Sequence, residues 1–129
     1  MANHRILIAD DNPSMRKLIG MLLKQIGILD VDYACNGDDV VVKYRSSNYD
    51  MIILDNAMPF RSGLDFIQEY AEVINRNKTI IFIITAEPSN KLISTVIESN
   101  IMYKDVMAKP FDVQTMSSRI KLIIERYKN

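Results

Sequence analysis

Five short runs rich in β-branched and other large apolar residues alternate with five segments of helical periodicity, and this alternation constrains the fold more than any other feature. The runs are Arg5–Ala9, Asp30–Ala34, Met51–Leu54, Thr79–Thr85 and Val106–Ala108. Two of them, MIIL and TIIFIIT, are apolar without a break, the pattern of parallel strands covered by helices on both faces. No Gly/Ser-rich linker, repeat or low-complexity stretch interrupts the series. A chain of 129 residues is long enough for one domain with a real core, so a single domain over residues 1–129 is expected.

The first helix has the clearest ends. Asn12 is a good N-cap, Pro13 suits the first helical position, and Met15, Leu18, Ile19, Leu22 and Ile26 recur at helical spacing until Gly27. A second helix is expected over Gly37–Ser46, burying Val40, Val41 and Tyr44. A third, Gly63–Asn75, offers Leu64, Ile67, Ala71 and Ile74, and a fourth, Asn90–Ser99, offers Leu92, Ile93, Val96 and Ile97. Asp112 caps a fifth, with Val113, Met116, Ile120, Ile123 or Ile124, and Tyr127 along one side. The fold class is therefore α/β, a (βα)5 open parallel sheet.

Composition bears on partners and location. Sixteen basic residues balance 16 acidic ones, so no global field gathers nucleic acid or an anionic membrane. No apolar segment approaches the roughly 18 to 20 residues of a membrane span, and no signal-peptide core is present, which points to the cytoplasm. The single cysteine, Cys35, excludes an internal disulfide and reads as a small core or near-surface residue. His4 is expected to be exposed before the first strand. Met15, Met21, Met58, Met102, Met107 and Met116 read as core or cleft lining. Arg16, Lys17 and Lys24 read as the solvated side of the first helix, with a partner contact as the alternative.

In an open α/β sheet with right-handed crossovers, ligands bind beyond the carboxyl ends of the strands. Strand one ends in Asp10 and Asp11, strand three in Asp55, strand four in Thr85, and strand five runs into Lys109 and Pro110. Three carboxylates in one cleft repel each other. A hard divalent cation resolves that conflict, and Mg²⁺ takes one or two carboxylates and completes its shell with other oxygens. Asp11 and Asp55 are the expected direct ligands, with Asp10 acting through water and the backbone carbonyl of Ala57 as a further donor. The set contains no histidine or thiolate, which disfavours zinc. Lys109 and Thr85 add an ammonium and a hydroxyl, a combination suited to a phosphoryl group. No P-loop or dinucleotide fingerprint follows strand one. Asp55 is then the candidate acceptor, since carboxylates can form acyl phosphates.

These residues resemble the receiver domain of two-component response regulators, the CheY-like family. The likeness covers nearly the whole chain and rests on ILIADDN, MIILDNAMPFRSG, IFIITAE and MAKPF taken together. It implies a flavodoxin-like, doubly wound sheet of strand order 2-1-3-4-5. It further implies that Asp55 takes a phosphoryl group from a histidine kinase or phosphotransfer protein, assisted by Asp10, Asp11 and Mg²⁺, with Lys109 and Thr85 contacting the acyl phosphate. The face of helix four, strand five and helix five is then expected to meet a downstream protein. Val106 stands where the family carries an aromatic ring, three residues before Lys109, and Tyr103 is the ring nearby. Ala57 has no group to orient a water, so rapid self-dephosphorylation is not carried over.

The expected function is that of a stand-alone phospho-acceptor with no effector domain, a signalling protein rather than an enzyme, monomeric or weakly dimeric. One alternative is a pseudo-receiver, an interaction module without phosphotransfer. Another, a Mg²⁺-dependent phosphohydrolase, is disfavoured because Ala57 stands where aspartate-nucleophile phosphatases carry a second aspartate.

Overall fold

The computed structural model describes residues 3–128. Its elements run β1 (Arg5–Ala9), α1 (Pro13–Gln25), β2 (Asp30–Ala34), α2 (Gly37–Ser46), β3 (Met51–Asp55), α3 (Gly63–Asn77), β4 (Ile80–Thr85), α4 (Asn90–Glu98), β5 (Lys104–Ala108) and α5 (Val113–Lys128). The five strands form one parallel sheet in the order β2-β1-β3-β4-β5. This is the CheY-like, flavodoxin-type order.

Strand alternation divides the core into two layers. Leu7, Ile52, Leu54, Ile81 and Ile83 face α2, α3 and α4, where Val40, Phe66, Ile67, Leu92 and Val96 cover them. Ile6, Ile8, Ile53, Phe82 and Ile84 face α1 and α5, against Ile19, Leu22, Leu23, Met116 and Ile120. Each side chain of this size buried in full contributes about 1.5–3 kcal/mol. Strands β1 and β3 lie side by side where the order of connection reverses, so Asp10 and Asp55 end adjacent strands.

The helix ends follow local chemistry. The Asn12 carboxamide accepts from the N–H groups of Ser14 and Met15 at 2.9 and 3.4 Å. Helix α1 stops at Gln25, and Gly27 then takes φ 89°, a left-handed value that suits glycine. Ser62 and Asp65 form a reciprocal capping box on α3. The Asp112 carboxylate accepts from the Thr115 hydroxyl at 2.8 Å at the start of α5.

Several expectations are corrected. His4 is buried, 6 % exposed, packed beside Asp50 with Nδ1 3.8 Å from a carboxylate oxygen. Leu18, Ile93, Ile97 and Val113 are exposed, as are Met21 and Met102. Helix α4 seats only Leu92 and Val96, so the apolar residues next to them in sequence fall on the outer side. Strand β5 begins two residues before Val106, and β4 begins after Thr79, whose hydroxyl instead pairs with Tyr44 at 2.8 Å.

Candidate functional site

The carboxyl ends of β1, β3, β4 and β5 converge on one acidic cleft. Asp10 is 1 % exposed and uses both carboxylate oxygens: Oδ1 accepts from the Asn12 N–H at 2.9 Å, and Oδ2 from Lys109 Nζ at 3.1 Å. Asp55 is also buried, with Oδ1 accepting from the Ala57 N–H at 3.4 Å and lying 3.5 Å from Lys109 Nζ. Asp11 is exposed at the mouth. Asp10, Asp11 and Asp55 each offer an oxygen, and the three lie within 4.8 Å of one another. The expected cluster of three aspartates and Lys109 is therefore assembled in space.

Its electrostatics follow from burial and from Asp10. Loss of water and then the neighbouring Asp10 charge push the Asp55 carboxyl above its ordinary range, and Lys109 offsets this only in part. Burial pulls the Lys109 ammonium down, but the hydrogen bond and charge of Asp10, followed by Asp55, leave it above the usual lysine value. One ammonium thus faces two buried anions. The donor set consists of oxygens and carries uncompensated negative charge, which fits a hard divalent cation. Both Asp10 oxygens already accept a hydrogen bond, so Asp11 and Asp55 are the better placed of the three to hold it directly.

Thr85 is placed differently from the rest. Its carbonyl accepts from the Lys109 N–H at 2.8 Å, which fixes the approach of β5 to the cleft. Its hydroxyl accepts from the Glu87 N–H at 3.2 Å. It borders a cavity of about 520 Å³ lined also by Ala57, Leu64, Glu87 and Leu92, between the residues that follow β3 and the start of α4.

Two supporting groups were missed by sequence reasoning. Arg16, expected on the solvated side of α1, is half-buried and donates from Nη1 to the Asp10 carbonyl at 2.7 Å. The signal was its place in the first turn, since long helical side chains lean back toward the N-terminus. Asn56 ties down the next loop: its carbonyl accepts from Met58 and Gly63 N–H, and its side chain accepts from the Leu64 N–H at 3.0 Å. Val106 packs with the α4 layer, whereas Tyr103 packs with the α5 layer and meets Tyr127 in a tilted ring contact, centroids 4.5 Å apart. The two lie on opposite faces of the sheet, so Tyr103 does not occupy the place of the missing ring.

A 2-1-3-4-5 parallel sheet with an acidic cleft, a lysine and a threonine on its strand ends defines a receiver-type signalling domain. The chain belongs to the response regulator receiver domain family, whose model matches residues 6–121. The chemotaxis protein CheY of Pseudomonas aeruginosa is 27% identical over 122 residues, 95% of this chain and 97% of that protein. The transcriptional regulatory protein ResD of Bacillus subtilis is 31% identical over 124 residues, 95% of this chain but 48% of that protein. The chain thus spans about half the length of ResD and nearly all of that CheY. Among solved structures, the receiver domain of the Francisella response regulator 1452 superposes with a TM-score of 0.83 at 25% identity, covering 98% of this chain and 100% of that one. The protein is a CheY-like receiver of two-component signalling.

Proposed function

We propose that Asp55 accepts a phosphoryl group from a phosphohistidine of a sensor histidine kinase or phosphotransfer protein, in a Mg²⁺-dependent reaction. The observation that carries this reading is the packing of Asp55 against Asp10, Asp11 and Lys109, with carboxylate oxygens within 4.8 Å of one another and the ammonium 3.5 Å from Asp55. An Asp55 oxygen forms the new O–P bond as the donor P–N bond breaks, and the imidazole leaves. Lys109 neutralises charge on the transferred oxygens, and Thr85 is the nearby hydroxyl. Asp11 and Asp55, with the Ala57 carbonyl, would hold Mg²⁺, which when bound would supply electrostatic stabilisation of the phosphoryl oxygens. Asp10 keeps Lys109 in place.

The domain then signals by protein contact, in the cytoplasm and not as an enzyme with a separate substrate. The likeness to chemotaxis CheY proteins, matched over nearly their whole length, supports signalling through the receiver's own surface. Among the described residues, no helix is long and apolar enough to cross a membrane. Exposed Ile97 and Leu122, on the helices flanking β5, suit a face that meets a downstream protein.

A second reading, a pseudo-receiver, is favoured by Val106 and by the Thr85 hydroxyl, which pairs with the Glu87 N–H. Incubation with acetyl phosphate separates the two. The expected result is a Mg²⁺-dependent mass gain of one phosphoryl group, absent in Asp55→Asn and after chelation. An unlabelled wild-type protein under those conditions selects the pseudo-receiver.

A further inference from the structure

We infer that Phe60 is a docking anchor for the protein that delivers the phosphoryl group, an inference that rests on the phospho-acceptor reading above. Phe60 is 82% exposed, the most exposed of the large apolar side chains among the described residues. It also holds φ 70°, in the left-handed region that costs a residue with a Cβ roughly 1–2 kcal/mol. A backbone strained to hold a phenyl ring in water calls for an explanation in binding.

The loop carrying it is clamped. Met58 and Gly63 N–H close it onto the Asn56 carbonyl, and Arg61 N–H donates to the Pro59 carbonyl at 2.8 Å. The Arg61 side chain pairs with Asp38 on α2 and Glu69 on α3. A Cβ on Gly37 would stand 1.9 Å from the Arg61 carbonyl oxygen, so glycine at the start of α2 is what lets the loop seat there. Phe60 is thus displayed by a fixed support.

Its position selects the occupant. Five residues of extended chain from Asp55 reach at most roughly 18 Å, and the folded loop brings the ring closer. A phosphohistidine must come to within about 3–3.5 Å of the acceptor oxygen, so its carrier sits centred on the cleft. A standard interface covers about 800 Å² of each partner, a disc of about 16 Å radius. Phe60, on a loop folded back by the Gly63 and Met58 N–H groups onto the Asn56 carbonyl, falls at the rim of such a footprint, and buried aromatic rings are the residues that dominate such contacts. A small-molecule donor makes no such footprint.

The test compares two kinds of donor on wild type, Phe60→Ala and Phe60→Asn. The protein donor is whichever histidine kinase or phosphotransfer domain, from a purified panel phosphorylated on histidine, labels the wild-type chain fastest. Asparagine tolerates the left-handed backbone, so that variant is expected to melt no lower than wild type. Both variants should take label from acetyl phosphate within about twofold of wild type, yet lose about tenfold or more in kcat/KM for the protein donor. Undiminished protein transfer overturns the inference, as does equal slowing with acetyl phosphate, which would place the ring in the cleft chemistry. So does a panel in which no protein donor labels wild type while acetyl phosphate does. Failure of acetyl phosphate on wild type instead removes the phospho-acceptor reading itself.

Discussion

Asp55 sits almost wholly out of water beside a second buried carboxylate, and one ammonium, that of Lys109, pairs with both. Two like charges within 4.8 Å repel by about 3–4 kcal/mol at an effective dielectric near 20, comparable to a good part of a domain's net stability. Lys109, 3.1 Å from Asp10 and 3.5 Å from Asp55, cancels much of this but must serve both. Burial first, and then what remains of the Asp10 repulsion, hold the Asp55 carboxyl above its ordinary 3.8, so the native protein keeps that proton more tightly than the unfolded chain does. By linkage, stability then falls as pH rises from 3.8 through the folded value. In a chelating buffer at neutral pH, Asp55→Asn is therefore expected to raise stability by about 1 kcal/mol. That advantage should vanish below the ordinary carboxyl value. Thermal melts of the two proteins across pH decide it, and an Asn variant that melts lower at neutral pH would refute the charge argument.

At the scale of elements, the helices differ in how firmly they are held. Helix α3 spans Gly63–Asn77 with a capping box and buries Phe66, Ile67 and Ile74, and α5 buries Met116, Ile120, Ile123 and Ile124. Helix α4 has nine residues and buries only Leu92 and Val96. So short a helix has little stability of its own and depends on packing, which here is slight. Amide protons of α4 should exchange with solvent faster than those of α3 and α5, measurable residue by residue by hydrogen exchange. Equal protection across the three would show that α4 is secured by something other than its buried face. The element most easily displaced starts five residues after Thr85, the end of β4, a suitable place for a local event at the cleft to be passed to the surface.

The whole molecule is one sheet between two helical layers, so a hole in either layer weakens the platform on which the strand ends are mounted. Phe66 is fully buried, meeting Tyr44 edge-on at 5.6 Å and Tyr70 in a stack at 5.3 Å. Phe66→Ala is expected to cost about 3–5 kcal/mol, read as a lower urea midpoint with an unchanged slope. What was legible without coordinates follows the same geometry. The periodicities of ILIA, MIIL and TIIFIIT marked strands, and a strand's last residue points to the sheet's end whatever its neighbours do, so Asp10, Asp55, Thr85 and Lys109 could be named in advance. Partners and burial depend on segments distant in the chain, and local spacing carries no record of them. Only the tertiary structure decided that His4 is inside, that Asp10 spends both oxygens on Asn12 and Lys109, and that the Thr85 hydroxyl turns to Glu87. It alone put Tyr103 on the opposite face from Val106 and left Phe60 in solvent on a left-handed backbone. The sequence by itself determined which groups reach the cleft, because side-chain direction is a property of each strand; the fold decided how they are paired, because pairing is a property of the space between strands.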